Sequence, residues 1–271
     1  MPELPEVETT VRGLRPVLEG ERIARVETRR ADLRRPFPAD LGRRLTGAAV
    51  TALGRRAKYG LVETGRGDTM VFHLGMSGRW RIDVGEPGPH DHLILETGAG
   101  RRLALTDPRR FGSVDLVRTE GREAHPLFAG LGPEPLGEDF DGAWLKAAFA
   151  GRRAPVKSLL LDQRIVAGLG NIYVCEALNL AAVAPRRRAG GVALARLERL
   201  AAAVKQVLEA AIDAGGSSLR DYARPDGALG YFRKQWRVYG REGGPCPRCG
   251  APVRRRTDGG RSTFYCGRCQ H

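Results

Sequence analysis

Between residues 5 and 18 apolar side chains recur at Val7, Val11, Leu14 and Leu18, a spacing that gathers them on one stripe of a helix. Pro5 falls early, where a missing N–H costs nothing, and Gly20 supplies a stop. From about residue 22 to 118 the pattern changes to short alternating runs separated by turn residues, as in 70–74, 79–84, 92–96 and 103–106. These runs predict antiparallel strands arranged as a sandwich. LGPEPLGEDFDG, residues 131–142, is rich in Gly, Pro and acids and reads as an interdomain linker. Beyond it the period is helical, most clearly over 194–214. There Leu197, Leu200, Val204, Val207, Leu208 and Ile212 share one stripe, and Gly215-Gly216 ends it.

Composition narrows the class. A chain of 271 residues exceeds a typical single domain, and a hydrophobic fraction of 42% is that of a globular protein. No apolar run approaches the length of a membrane helix, and the N-terminus lacks the basic-then-apolar order of a signal peptide, so the cytoplasm is the expected compartment. Forty-five Lys and Arg stand against 31 Asp and Glu, a net charge of +14. That excess calls for a polyanionic partner, most simply nucleic acid, rather than a merely solvated surface or an acidic membrane. Only Lys58, Lys146, Lys157, Lys205 and Lys234 are lysines, and because Arg cannot be deprotonated, each hints that an amine is wanted.

The strongest single motif is Cys246-x2-Cys249-x16-Cys266-x2-Cys269, the spacing of a four-thiolate zinc site. A disulfide pair would suit a secreted protein, which the missing signal peptide opposes. Between the two knuckles, Asp258-Gly259 predicts a hairpin turn, and Arg254, Arg255, Arg256 and Arg261 make the finger cationic enough to hold a phosphate backbone. Cys175 is left over and reads as a small helix residue.

Three further stretches admit two readings each. In AGLGNIY, Gly168 and Gly170 precede Asn171, which can cap the next helix; the turn either cradles a phosphate or simply connects two helices. TDPRRFG presents Arg109, Arg110 and Phe111, and HLGMSG presents Met76. Both are either probes of a nucleic-acid groove or ordinary turns with half-buried hydrophobes.

MPELPEVE, RRAKY (55–59), HLGMSG, HDH (90–92), TDPRRFG, AGLGNIY, DGALGYF (226–232), VYGREG (238–243) and GRSTFYC (260–266) occur in order over nearly the whole chain. Together they resemble bacterial formamidopyrimidine-DNA glycosylase. The resemblance implies an α+β multidomain fold: an N-terminal helix plus antiparallel β-sandwich over 1–131, a helix-two-turn-helix domain over 132–240, and a zinc ribbon over 241–271. It implies a base excision repair enzyme that removes oxidised purines such as 8-oxoguanine and formamidopyrimidines from damaged double-stranded DNA, then nicks the abasic site by β,δ-elimination. One structural Zn2+, a monomeric state and a place on the nucleoid follow.

The same resemblance makes Pro2, freed by loss of Met1, the nucleophile and Glu3 its proton partner. Glu6, one helical turn on, is placed to orient the pair, and Glu8 is left to the helix dipole. Lys58 and Arg261 join the catalytic set. His73 and Asn171 match phosphate contacts, His90, Arg109 and Arg152 match DNA-binding positions, and Met76, Arg109 and Phe111 match the triad that fills the gap after base flipping. The segment 217–232 matches the loop that closes on the extruded base. Two departures stand out: Arg152-Arg153 where lysines are expected, and Cys175 where Ala or a small polar residue is expected. An endonuclease VIII-like enzyme for oxidised pyrimidines and a non-catalytic zinc DNA-binding protein are the alternatives.

Overall fold

The computed structural model describes residues 2–217, 225, 227, 228 and 230–271. Contacts divide the chain into two compact units, Met1–Ala129 with Ala214–Tyr231, and Gly130–Asp213 with Phe232–His271.

In the first unit, helix α1 (Leu4–Leu18) opens the chain. Glu3 and Glu6 form a reciprocal capping box at its start, and Gly20 lies just beyond its end with φ +85°. Two four-stranded antiparallel sheets follow. One has the order β1 (Ile23–Thr28), β6 (Asp91–Thr97), β7 (Arg102–Thr106), β5 (Arg79–Ile82). The other has β2 (Val50–Arg56), β3 (Tyr59–Thr64), β4 (Asp68–His73), β8 (Ser113–Arg118). A short helix α2 (Leu41–Leu45) lies between β1 and β2 in the chain.

The sandwich exists because both sheets and α1 each have one apolar face to bury. Leu93, Leu95, Leu103 and Leu105 of the first sheet, Leu53, Val62, Met70 and Phe72 of the second, and Val7, Val11 and Leu14 of α1 form one core. Phe72 and Trp80 meet edge to face across it, ring centroids 5.6 Å apart.

The second unit holds α3 (Gly142–Phe149), α4 (Val156–Leu160), α5 (Asn171–Leu180), α6 (Leu194–Asp213) and the hairpin β9 (Val253–Asp258) and β10 (Arg261–Cys266). Every residue of the predicted α6 stripe is buried. Residues 131–142 are not a free linker. Gly132 N–H reaches Gln163 O, Ala167 N–H reaches Pro133 O, and Lys205 Nζ reaches Gly137 O, so the stretch is laced onto the α4–α5 connection and onto α6. The segment that leads into the ribbon is tied to α5 in the same way: the buried Glu176 carboxylate accepts the N–H groups of Arg237, Val238 and Tyr239 at 2.7, 3.0 and 2.8 Å. Cys175 sits beside it in a small core with Val238, Val253 and Phe264. Among the described residues no helix is long and apolar enough to cross a membrane.

Candidate active site and nucleic-acid interface

The N-terminus is enclosed. Pro2 is buried and Glu3 is 3% exposed. Glu6, one turn along α1, receives the Glu3 N–H on Oε2 at 2.8 Å and the Ser217 N–H on Oε1 at 2.7 Å. The Thr10 hydroxyl donates to Glu6 O at 2.8 Å and fixes the same turn. A helix start gathers free N–H groups and the positive end of the dipole, a setting that favours acidic side chains as hydrogen-bond acceptors.

Lys58, 8% exposed, stands on the two-residue turn between β2 and β3, where Arg56 pairs with Tyr59. Its neighbour Ala57 has φ +54°, a conformation that side chains with a Cβ rarely adopt. Arg55 holds that turn: Nη1 donates to Ala57 O at 3.0 Å, while Nε donates to Glu8 at 3.1 Å. Glu8 is therefore more than a helix-end charge. Burial opposes its ionisation, but Arg12 and Arg55 outweigh burial and hold its carboxyl below the usual range. The Glu8–Arg55 pair thus ties α1 to the turn that carries Lys58. Neither its partner nor its purpose is visible in the local pattern.

His73 ends β4 opposite Tyr59, their rings 5.2 Å apart. Burial first, then the cations Lys58, Arg34 and Arg35, lower its pKa to about 4, so the ring is neutral near pH 7. Nδ1 accepts the Gly75 N–H at 3.0 Å, which leaves the proton on Nε2 as a donor. Beside it lies a pocket of about 270 Å³ lined by Arg34, Arg35, Tyr59, His73, Ser113 and Leu127. A neutral N–H donor among guanidinium groups is a setting for a phosphate oxygen.

Met76 is 36% and Phe111 44% exposed, large apolar side chains presented on turns. Arg109 stacks its guanidinium over the Phe111 ring at 5.0 Å. His90 and Arg109 are both exposed. All of these belong to the first unit. The proposed closing segment 217–232 falls largely on 218–224, 226 and 229, outside the described residues, as does Met1.

In the second unit Arg152 is exposed on the connection between α3 and α4. Asn171 does not cap α5; Gly170 occupies that position. Instead Asn171 Nδ2 donates to Ser262 O at 2.8 Å, and its buried Oδ1 has no partner among the described residues. Lys157, buried on α4, donates to the same carbonyl at 3.2 Å and to Thr263 Oγ1 at 2.7 Å. Arg261, exposed at the start of β10, is therefore held by its next residue from two helices. The hairpin turn is shifted from its predicted place. Asp258 pairs with Arg261, and the turn is Gly259-Gly260, φ +56° and +75°. Such a turn needs positive φ at both central positions, which two glycines supply without strain.

The sulfur atoms of Cys246, Cys249, Cys266 and Cys269 all lie within 4.8 Å of one another, with Cys249 and Cys266 3.6 Å apart. Zn–S bonds of about 2.3 Å in a tetrahedron set the sulfurs about 3.8 Å apart, so the cage fits Zn2+.

Comparison with known proteins agrees with this arrangement along the whole chain. Residues 1–114 match the formamidopyrimidine-DNA glycosylase N-terminal domain, 131–223 the H2TH domain of the same enzyme, and 243–271 the zinc finger found in FPG and IleRS. The formamidopyrimidine-DNA glycosylase of Rhizorhabdus wittichii is 71% identical over 270 residues, covering 100% of both chains. The chain belongs to the formamidopyrimidine-DNA glycosylase family. The Sphingopyxis alaskensis member is 66% identical, again over 100% of both chains. Among solved structures, the MutM (FPG) protein of Thermus thermophilus superposes with a TM-score of 0.89 at 41% identity, covering 99% of this chain and 98% of that one. A Lactococcus lactis FPG mutant in complex with Fapy-dG containing DNA gives 0.92 at 34% identity, with 100% of both chains covered. As a formamidopyrimidine-DNA glycosylase the chain is a DNA glycosylase and abasic-site lyase of base excision repair, with one structural zinc.

Proposed function

We propose that this glycosylase removes oxidised purines through a covalent intermediate on Pro2. The observation that carries the reading is the enclosed helix start: Pro2 and Glu3 are buried together, and Glu6 grips the Glu3 N–H. With Met1 removed, the proline nitrogen is an α-amine of pKa about 8, roughly a quarter neutral near pH 7.4, against about one part in a thousand for an ordinary lysine. It attacks C1′ of the damaged nucleotide and the glycosidic bond breaks, with the electron pair leaving on the base. Glu3 delivers a proton to the sugar as the ring opens. Because the attacking amine is secondary, the product is a charged iminium. It acidifies C2′–H, and loss of that proton expels the 3′ phosphate; a second elimination, which Arg261 assists, expels the 5′ phosphate.

Lys58, with one donor head on a turn fixed by Arg55, acts with Glu3 and holds a phosphate near the lesion. His73 through Nε2–H, Asn171, His90 and Arg152 contact the DNA backbone. Met76 and Phe111 fill the space left by the extruded nucleotide, and Arg109 faces the orphaned base. The four thiolates hold Zn2+, which keeps the cationic hairpin rigid. A monomer working on the nucleoid in the cytoplasm suits a chain of net charge +14.

Lactococcus lactis FPG has been solved both with Fapy-dG containing DNA and with DNA containing an oxidised pyrimidine, so the preference is a ratio rather than an exclusion. Single-turnover excision of 8-oxoguanine opposite cytosine, compared with thymine glycol opposite adenine, tests it. A faster purine reaction is expected, and a faster pyrimidine reaction would replace this reading with the endonuclease VIII-like one.

A further inference from the structure

We infer that Asp107 is a positioning residue that locks the three DNA-probing segments, HLGMSG, HDH and TDPRRFG, into one rigid unit. Asp107 is 0% exposed, yet the four residues after it, Pro108 to Phe111, are all exposed. It is the buried root of the turn that carries Arg109 and Phe111.

Both carboxylate oxygens are spent inside the protein. Oδ1 accepts the Ser77 hydroxyl at 2.6 Å and Oδ2 accepts the Gly112 N–H at 2.8 Å. Ser77 Oγ in turn accepts the Arg109 N–H at 3.1 Å. Thus a single hydroxyl, one residue past Met76, joins the Met76 turn to the Arg109 turn. The main chain of Asp107 reaches the third segment: its N–H donates to His90 O at 2.9 Å, and its carbonyl accepts from His92 Nε2 at 3.0 Å.

An aspartate before proline is ordinarily explained by a local turn, in which the side chain caps a backbone group two residues on. Here the partners lie five residues ahead and 30 residues back, so a local turn does not account for them. Two conformational features show why a lock is needed. Arg110 has φ +58°, a left-handed conformation that persists only where its surroundings over-determine it. Gly75 has φ +61°, and a Cβ there would come within 2.3 Å of the Phe111 carbonyl carbon, so the two turns pack backbone against backbone. Held in this way, Met76, His90, Arg109 and Phe111 cannot shift independently.

The inference rests on the reading of Met76, Arg109 and Phe111 as the residues that replace the extruded nucleotide and meet its partner base. Under that reading the lock sets discrimination and base extrusion, while the later chemistry at Pro2 is untouched, because Asp107 and Ser77 take no part in it. Ser77→Ala in the full-length, zinc-loaded chain removes one hydroxyl, and Asp107→Asn removes one of the two acceptors.

For Ser77→Ala, amide exchange at Arg109 and Gly112 is expected to quicken roughly tenfold. Single-turnover excision of 8-oxoguanine opposite cytosine is expected to fall roughly tenfold, and the cytosine-to-adenine rate ratio to shrink. Borohydride trapping on a preformed abasic duplex is expected to stay within about twofold. Asp107→Asn should change exchange, excision and the rate ratio in the same directions and likewise leave abasic-site trapping within about twofold. Unchanged excision and ratio in a folded Ser77→Ala chain would overturn the inference, as would an equal loss of excision and abasic-site trapping. An Arg109→Ala chain that keeps the wild-type ratio would instead overturn the underlying reading of the probes, with the exchange rates still deciding whether the lock exists.

Discussion

Glu6 accepts the backbone N–H of Ser217 at 2.7 Å through one oxygen while the other holds the N–H of Glu3. One buried carboxylate thereby joins the residue beside the proposed nucleophile to the start of the segment expected to close on the base. Glu6→Gln keeps a single acceptor and turns an amide N–H toward one of two backbone N–H groups. A stability loss of about 1–3 kcal/mol is expected in denaturant titration, because a buried donor is left unpaired. Trapping on 8-oxoguanine DNA should slow with it. A Glu6→Gln chain with wild-type stability and trapping would show that the two bonds set neither property.

His73 makes the fold acid-sensitive in a defined window. Its pKa falls from an ordinary 6.5 to about 4 in the folded chain, first through burial and then through Lys58, Arg34 and Arg35. Between these values the unfolded chain binds more protons than the folded one, so stability is complete above pH 6.5 and declines as pH falls toward 4. The contribution at stake is up to about 3 kcal/mol. Unfolding free energies measured from pH 4 to 7 should show a shallower slope for His73→Gln than for wild type. An NMR titration midpoint for His73 near 6.5 would contradict this.

Lys157 is expected to matter for the second elimination more than for the first. Its buried ammonium and Asn171 converge on Ser262 O, the residue after Arg261. Lys157→Met keeps the stem and removes the donor, so Arg261 loses one of its two supports. Gel analysis of abasic-site products should then show β-product accumulating over δ-product, by roughly threefold or more. An unchanged product ratio would mean that Arg261 is positioned by other contacts.

Removing zinc should dissolve the hairpin while leaving the sandwich intact, because among the described residues the ribbon contributes Val253 and Phe264 to a small apolar cluster with Cys175 of α5 and Val238. Chelator titration followed by DNA binding and by amide exchange in the buried strands β4 and β6 checks this. Loss of DNA affinity with unchanged exchange in those strands is expected. Tight binding by the metal-free chain would remove the ribbon from the interface.

What the sequence disclosed, and what it withheld, follows from the range of each interaction. The α1 and α6 stripes, the alternating strands and the cysteine spacing are local periodicities, and each is legible. Glu8 and Arg55 lie 47 residues apart, Ser77 and Asp107 30, and Lys157 and Thr263 106; no period encodes such pairs. Asn171 suggests a cap because its preference for helix starts hides the alternative of a long-range donor, which only folding brings within reach. The hairpin turn slips by one residue because Asp258-Gly259 and Gly259-Gly260 are both good turn pairs, and strand register chooses between them. Composition marks residues 131–142 as a linker, yet it cannot reveal that their carbonyls and N–H groups are spent on the α4–α5 connection and on Lys205 of α6.

The identity of the nucleophile is tested most directly by borohydride trapping of the Met1-processed chain on an 8-oxoguanine duplex, with mass spectrometry of the cross-linked peptide. The expected result is an adduct on the Pro2 nitrogen within the N-terminal peptide, sharply reduced in Pro2→Gly and retained in Lys58→Arg. An adduct on a lysine side chain, or none from a chain confirmed to begin at Pro2, would contradict it.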